Sequence, residues 1–275
     1  MLRWVLIVAL VAALGFLGSL NVHRLGGRYM LRDSDHAEVM LSGTTALTRR
    51  TVRILFIGNS FTYVNDLPAM LVNLAASDPG NPTQLSVKGF TYENADLGFM
   101  LRETGALAWA RANPVDYVVL QDHSGWYALP EWTERAQRDT AAWVDALRPL
   151  KATPVLFAPW ADGEGSNVYT DPEFYAYGKT PAEDTLESEQ TTGLLAQSLN
   201  VPMVRVARAF NQAEKTGRVP DLYQSDRHHP SAAGTYLAAL SFYRFFTRRS
   251  GVDATYRPWG LSAAGKAALV EAAGK

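Results

Sequence analysis

A chain of 275 residues that is 47% hydrophobic can bury a sizeable core, in one large or two small domains. Its 26 basic and 27 acidic side chains nearly cancel, and with no basic patch or recognised binding motif nucleic acid is not an expected partner. The absence of cysteine excludes disulfides, thiolate chemistry and cysteine-ligated metals, and leaves the redox compartment undecided.

Met1-Leu2-Arg3 precedes an apolar run from Trp4 to Leu20. A positive start followed by such a run, residues 1–20, reads as a signal peptide or an N-terminal membrane anchor. Ala13-Leu14-Gly15 is the best small-x-small site, but it would cut inside the run, which favours an uncleaved anchor. The protein is therefore expected to be exported: periplasmic, extracellular, or anchored with its domain outside the cytoplasm. Residues 21–50 carry scattered charges, Gly26-Gly27 and Ser42-Gly43-Thr44-Thr45, and read as a linker. Residues 51–275 read as one domain, so a chain beginning near Thr51 is expected to suffice for activity.

The domain opens on Ile54 to Ile57, a continuous apolar run that reads as a strand buried on both faces. Gly58-Asn59 breaks it, Ser60-Phe61-Thr62 follows, and Asp66-Leu67-Pro68 starts a helix with Met70, Leu71 and Leu74 on one face. A second strand runs from Gln84 to Val87 and ends at Lys88-Gly89-Phe90. One helical pattern then extends through Leu97, Met100, Leu101, Leu107 and Ala108. Val115 to Leu120 is a third strand, leaving through Gln121-Asp122-His123, and residues 131–148 are helical with Trp143, Val144 and Leu147 as the apolar stripe. Pro154 to Ala158 is a fourth strand, followed by a long polar and aromatic loop. Ala182 to Leu199 is a helix, Val201 to Val206 a fifth strand, Tyr236 to Phe246 a long helix, and Gly251 to Lys275 holds an alanine-rich helix. Strands alternating with helices at this spacing predict an α/β domain with a central parallel sheet.

Open sheets of this kind bind ligands at the carboxyl ends of their strands. Ser60 stands there, although serine is also common at turns and helix caps. The stretch Asp226-Arg227-His228-His229-Pro230 supplies what a serine nucleophile needs, an imidazole base and a carboxylate to orient it. The three-residue spacing pairs Asp226 with His229, leaving His228 expendable, and Pro230 suits the first turn of the helix that follows. A metal on His228, His229 and His123 is the weaker reading, since zinc sites want three protein ligands in a defined spatial set.

Gly58-Asn59-Ser60-Phe61-Thr62 together with Asp226-x-x-His229-Pro230 resembles the SGNH (GDSL-type) hydrolases, and in particular a bacterial branch reading Gly-Asn-Ser-Phe-Thr. The resemblance spans about residues 52–248. It implies a flavodoxin-like three-layer α/β/α sandwich, with Ser60 as nucleophile, His229 as base and Asp226 orienting it. It also implies an oxyanion hole made of the backbone N–H groups of Ser60 and Gly89 and a side-chain amide. Where the family reads Gly-x-Asn-Asp, this chain has Val119-Leu120-Gln121-Asp122, so Gln121 is expected to provide that amide.

The expected activity is serine-dependent ester hydrolysis through an acyl-enzyme, on short acyl esters such as O-acetylated carbohydrate, with no metal and no cofactor. No Gly-x-Ser-x-Gly elbow and no glycine-rich nucleotide loop occurs. Trp126, Tyr127 and Trp160, near the exits of the third and fourth strands, are candidate substrate-binding faces. An O-acyltransferase with the same triad, or a non-catalytic carbohydrate-binding surface protein, are the alternatives. Oligomeric state is open.

Overall fold

The computed structural model describes residues 31–35, 50–123, 130–174 and 176–274. The apolar run over residues 1–20 lies outside them, and among the described residues no helix is long and apolar enough to cross a membrane. The strands are β1 (Leu31–Asp35), β2 (Arg50–Gly58), β3 (Thr83–Tyr92), β4 (Tyr117–Leu120), β5 (Thr153–Ala158) and β6 (Met203–Arg205). They form one sheet in the order β1-β3-β2-β4-β5-β6. All neighbours are parallel except β1, which runs antiparallel along β3. The helices are α1 (Ser60–Tyr63), α2 (Leu67–Ser77), α3 (Leu97–Glu103), α4 (Ala106–Ala112), α5 (Pro130–Leu147), α6 (Pro181–Leu199), α7 (Val206–Thr216), α8 (Ala232–Thr247) and α9 (Ala263–Ala272).

The central strand shows why this is a three-layer α/β/α sandwich. Successive side chains of a strand face opposite ways, and β2 has helices on both sides. Ile54 and Phe56 enter one core with Leu71 and Leu74 of α2 and Leu237, Leu240 and Phe242 of α8. Leu55 and Ile57 enter the other with Leu97 and Met100 of α3 and Trp143 and Leu147 of α5. A strand buried on both faces must be apolar without alternation, and Ile54 to Ile57 is such a run.

Four expectations need correction. The lead-in over 21–50 is not wholly a linker, because Leu31–Asp35 adds an edge strand with Leu31 opposite Tyr92 and Asp35 opposite Lys88. The single helix expected through Ala108 breaks at Thr104-Gly105, where the Thr104 hydroxyl donates to the Met100 carbonyl and caps the Ala106 N–H. The fifth strand stops at Arg205, and Val206 already begins α7, whose Val206, Ala209, Phe210 and Ala213 form an apolar face at helical spacing. Pro230 stands two residues before α8, whose N-cap is Ser231, and so is not in the first helical turn.

Candidate active site

The turn after β2 is built to present Ser60. A Cβ at Gly58 would lie 2.5 Å from Gln121 Oε1 and 2.7 Å from Thr62 Oγ1, so no other residue fits there without displacing both. Asn59 caps the short α1, its Oδ1 accepting the Phe61 N–H at 3.2 Å while its Nδ2 donates to the Ala95 carbonyl at 3.1 Å. Ser60 is the first residue of that turn and is 6% exposed. Its hydroxyl and its N–H make no hydrogen bond among the described residues. Asn65, in a left-handed conformation (φ 55°), ties this turn to the far end of the chain by donating to the Pro230 carbonyl at 2.8 Å.

Gln121 has no amide hydrogen left to donate to an oxyanion. Its side chain is completely buried under the turn. Oε1 accepts from the Asn59 N–H at 2.9 Å and the Thr62 hydroxyl at 3.0 Å, and Nε2 donates to Asn59 Oδ1 at 2.8 Å and the Asp122 carbonyl at 2.6 Å. Both amide hydrogens are spent, so Gln121 braces the nucleophile turn. Gly89 is also misplaced for an oxyanion donor, since it lies inside the sheet between Phe56 of β2 and Ser34 of β1. The residue level with Gly58 is Thr91, and β3 runs on to Tyr92 before turning at Glu93 and Asn94.

Asp122 lies beside this brace. Its Oδ1 accepts the N–H groups of Leu97 and His123 at 3.1 and 2.8 Å. Burial outweighs those two donors and pushes its carboxyl up to about 7. Burial, followed by the neighbouring His228, holds the His123 imidazole below its ordinary value.

Asp226 and His229 meet within a single loop. An antiparallel bridge between Tyr223 and Pro230 closes it, with the Gln224 N–H donating to the His229 carbonyl at 2.8 Å, and Arg227 makes the bend with φ 57°. Asp226 Oδ1 accepts the N–H groups of His228 and His229 at 3.0 and 2.9 Å, and Oδ2 lies 2.7 Å from His229 Nδ1. Partial desolvation pushes this carboxyl up, but the His229 ring and the two backbone donors outweigh it and hold it at about 2. An ionised Asp226 fixes the tautomer with Nδ1 protonated, so the lone pair of His229 is on Nε2. The Phe61 ring, on the residue after Ser60, lies 6.2 Å from the His229 ring, so the two halves of the constellation converge at the carboxyl end of the sheet. Ser60 Oγ and His229 are not hydrogen-bonded to each other, and a nucleophile–base bond of this kind often tightens only once substrate is bound.

His228 is not a spare surface histidine. Its Nδ1 is 2.7 Å from Oδ1 of Asp162, a buried residue whose Oδ2 accepts from the Ser166 hydroxyl at 2.7 Å. Its ring lies 4.7 Å from Phe61 and 4.9 Å from His229, nearly perpendicular to the latter at 85°. Asp162 is 66 residues away in sequence, so no local spacing advertised the pair.

The loop after β5 is fastened to the histidine loop along its root. Gly163 N–H donates to the Arg227 carbonyl at 2.7 Å, Trp160 Nε1 to the His228 carbonyl at 3.1 Å, and the Tyr223 hydroxyl to the Ala161 carbonyl at 3.1 Å. Arg227 returns a bond to the Glu164 carbonyl at 2.9 Å. Trp160 is therefore not an open stacking face. It is 1% exposed, clamped between Phe61 at 4.4 Å and Phe210 at 4.7 Å. Trp126 and Tyr127 lie outside the described residues. Among the described residues no cluster of three or more His, Asp or Glu is arranged to hold a metal ion.

No family model and no curated protein sequence matches the chain. Solved structures do. A DUF4886 family protein from Bacteroides uniformis superposes with a TM-score of 0.67 at 17% identity, over 81% of this chain and 93% of its own. A protein from Slackia heliotrinireducens, provisionally assigned as an SGNH hydrolase, matches at 0.58 and 27% identity, over 73% of this chain and all of its own. Axe2, an acetylxylan esterase from Geobacillus stearothermophilus, matches at 0.52 and 19% identity, over 71% of this chain and 94% of its own. The chain has the α/β fold of the SGNH hydrolases.

Proposed function

We propose that this chain is a serine esterase in which Ser60 is the nucleophile, His229 the general base and acid, and Asp226 the residue that orients His229. The observation that carries the reading is the Asp226–His229 pair at 2.7 Å, near a serine whose hydroxyl and N–H are both uncommitted among the described residues. The likeness to the Slackia protein supports hydrolase chemistry at the level of class.

In the proposed reaction His229 Nε2 takes the hydroxyl proton as Ser60 Oγ attacks an ester carbonyl. The oxyanion is received by the Ser60 N–H, and a second donor, in place of Gly89, has to come from the turn after β3. Each such donor is typically worth about 3 kcal/mol in the transition state. His229 then protonates the leaving alcohol, and in the second half-reaction deprotonates the water that releases the acid. We assign short acyl esters, including O-acetylated carbohydrate, as the substrate class, in keeping with the acetylxylan esterase that shares the fold.

A fluorophosphonate probe tests the reading directly. It should label the wild-type chain on Ser60 and fail to label Ser60→Ala, and p-nitrophenyl acetate hydrolysis should vanish in the same variant. Label on another residue, or undiminished hydrolysis by Ser60→Ala, would dismiss Ser60 as the nucleophile.

A further inference from the structure

We infer that His228, held by Asp162, is a second substrate-reading imidazole of the esterase site, accepting a hydrogen bond from a free hydroxyl next to the ester. The inference rests on the esterase reading given above and narrows its substrate to partly acylated polyols and sugars.

The geometry begins with Asp162. A carboxylate taken out of water is costly unless it is paired and hydrogen-bonded. Here each oxygen has a donor, Ser166 Oγ on one and His228 Nδ1 on the other, both at 2.7 Å. A merely structural loop would be served as well by an apolar residue. What Asp162 achieves, and an apolar residue would not, is to hold the His228 ring in one orientation and one tautomer. With Nδ1–H committed to Asp162, the neutral ring carries its lone pair on Nε2, and Nε2 is an acceptor.

That nitrogen belongs to the site. The ring rests on Phe61, the residue after the nucleophile, at 4.7 Å, and stands against His229 at 4.9 Å. It is part-exposed, with 37% of its side chain open, and Nε2 makes no hydrogen bond among the described residues. Two imidazoles over one phenyl ring, each fixed by its own carboxylate, thus offer two acceptors side by side. His229 Nε2 is required by the Ser60 proton. His228 Nε2 is available to the group next door on the substrate, which on a sugar or polyol is a hydroxyl. Sites that hydrogen-bond a substrate hydroxyl discriminate strongly against analogues that lack it.

The test compares two acetyl esters of one pyranoside, identical except that the hydroxyl neighbouring the ester is free in one and O-methylated in the other. The readout is the ratio of their kcat/KM values, with p-nitrophenyl acetate and Ser60→Ala as the check on the esterase reading itself. Wild type should favour the free hydroxyl by about tenfold or more, the worth of one hydrogen bond whose partner would otherwise be stranded. His228→Asn keeps an amide N–H near the position of Nδ1, so Asp162 stays partnered while Nε2 is removed, and the ratio should fall toward one. Asp162→Asn, acting through His228, should lower the same ratio by letting the amide donate to Nδ1 and turning Nε2 into a donor. Wild-type indifference to methylation, or an unchanged ratio in folded His228→Asn, overturns the inference and leaves the esterase reading standing. Equal loss on both sugars in His228→Asn also overturns it, because it would make His228 part of the proton-transfer machinery. Hydrolysis of no ester at all overturns the esterase reading, and this inference with it.

Discussion

The brace formed by Gln121 gives the sharpest quantitative prediction. Gln121→Ala removes four hydrogen bonds from a fully buried site, two to Oε1 and two from Nε2. At a net contribution of about 1 kcal/mol each, the loss is about 4 kcal/mol, before any water enters the space. For a domain of this size about 2–4 °C accompanies each kcal/mol, so the thermal midpoint should drop by about 8–16 °C. Activity should fall along with the folded fraction and with the placement of Ser60, because Asn59 loses its partner. Gln121→Glu is the companion variant. One carboxylate oxygen can still accept from Asn59 and Thr62, but the other would face Asn59 Oδ1 and the Asp122 carbonyl, both acceptors. Only the protonated acid can donate there, so this variant should be least stable at high pH and recover on acidification. Circular dichroism melts and urea titrations, run beside fluorophosphonate labelling, measure both effects. An unchanged melt combined with a kcat loss of about 10²–10³-fold would refute the brace, since that is the signature of an oxyanion donor.

The remaining predictions follow from single contacts. Ser60→Ala and His229→Ala should each abolish ester hydrolysis, and Asp226→Asn should cost less than either because it orients without transferring a proton; assay of the purified variants decides. Asp122, whose carboxyl is raised to about 7 chiefly by burial, binds its proton more tightly folded than unfolded. Its stabilising contribution is therefore complete below about pH 4 and lost as pH rises through 7, and Asp122→Asn should flatten that dependence by about 3 kcal/mol between the urea midpoints at pH 5 and pH 8. Trp160→Ala should lower stability by about 3–5 kcal/mol as a core truncation, measurable in the same titrations, and a pure KM effect would return it to the substrate-binding surface. A chain shortened to begin at Thr51 loses β1 and uncovers the edge of β3, so it should self-associate more than one beginning before Leu31, as light scattering would show.

What was legible in the sequence was whatever is written in one continuous stretch. Ile54 to Ile57 announced a doubly buried strand because its neighbours on both faces are helices, and Asp226 reaches His229 because three residues and one bend suffice. Contacts set by register were not legible. Gln121 lies under Asn59 because β4 pairs with β2 at Ile57–Leu120, a fact of sheet geometry rather than of composition. Gly89 lies inside the sheet rather than at its edge because β3 runs three residues beyond it, which follows from its pairing on both sides. The amphipathic signal of α7 was present in Val206, Ala209, Phe210 and Ala213, but it begins immediately after β6 with no turn residue to divide them. Asp162 carried no local mark at all, and only the fold brings it to His228.

The fastening of the β5 exit loop to the histidine loop has a consequence for how such a site can be varied. Residues 160–166 share their hydrogen bonds with Tyr223, Arg227 and His228, so any change of length there moves the histidine loop. Beyond Ser166 the last such tie is Tyr169, whose hydroxyl donates to the Asp162 carbonyl at 2.7 Å. Gly165 (φ 86°) stands in open space, and past Tyr169 the outer part of the loop is closed by Gly178 donating its N–H to the Tyr169 carbonyl at 3.0 Å. The loop is thus divided into a fixed stem and an interchangeable crown. Libraries that recombine the crown between relatives while holding the stem constant would diversify what enters the site without retuning the chemistry that acts on it.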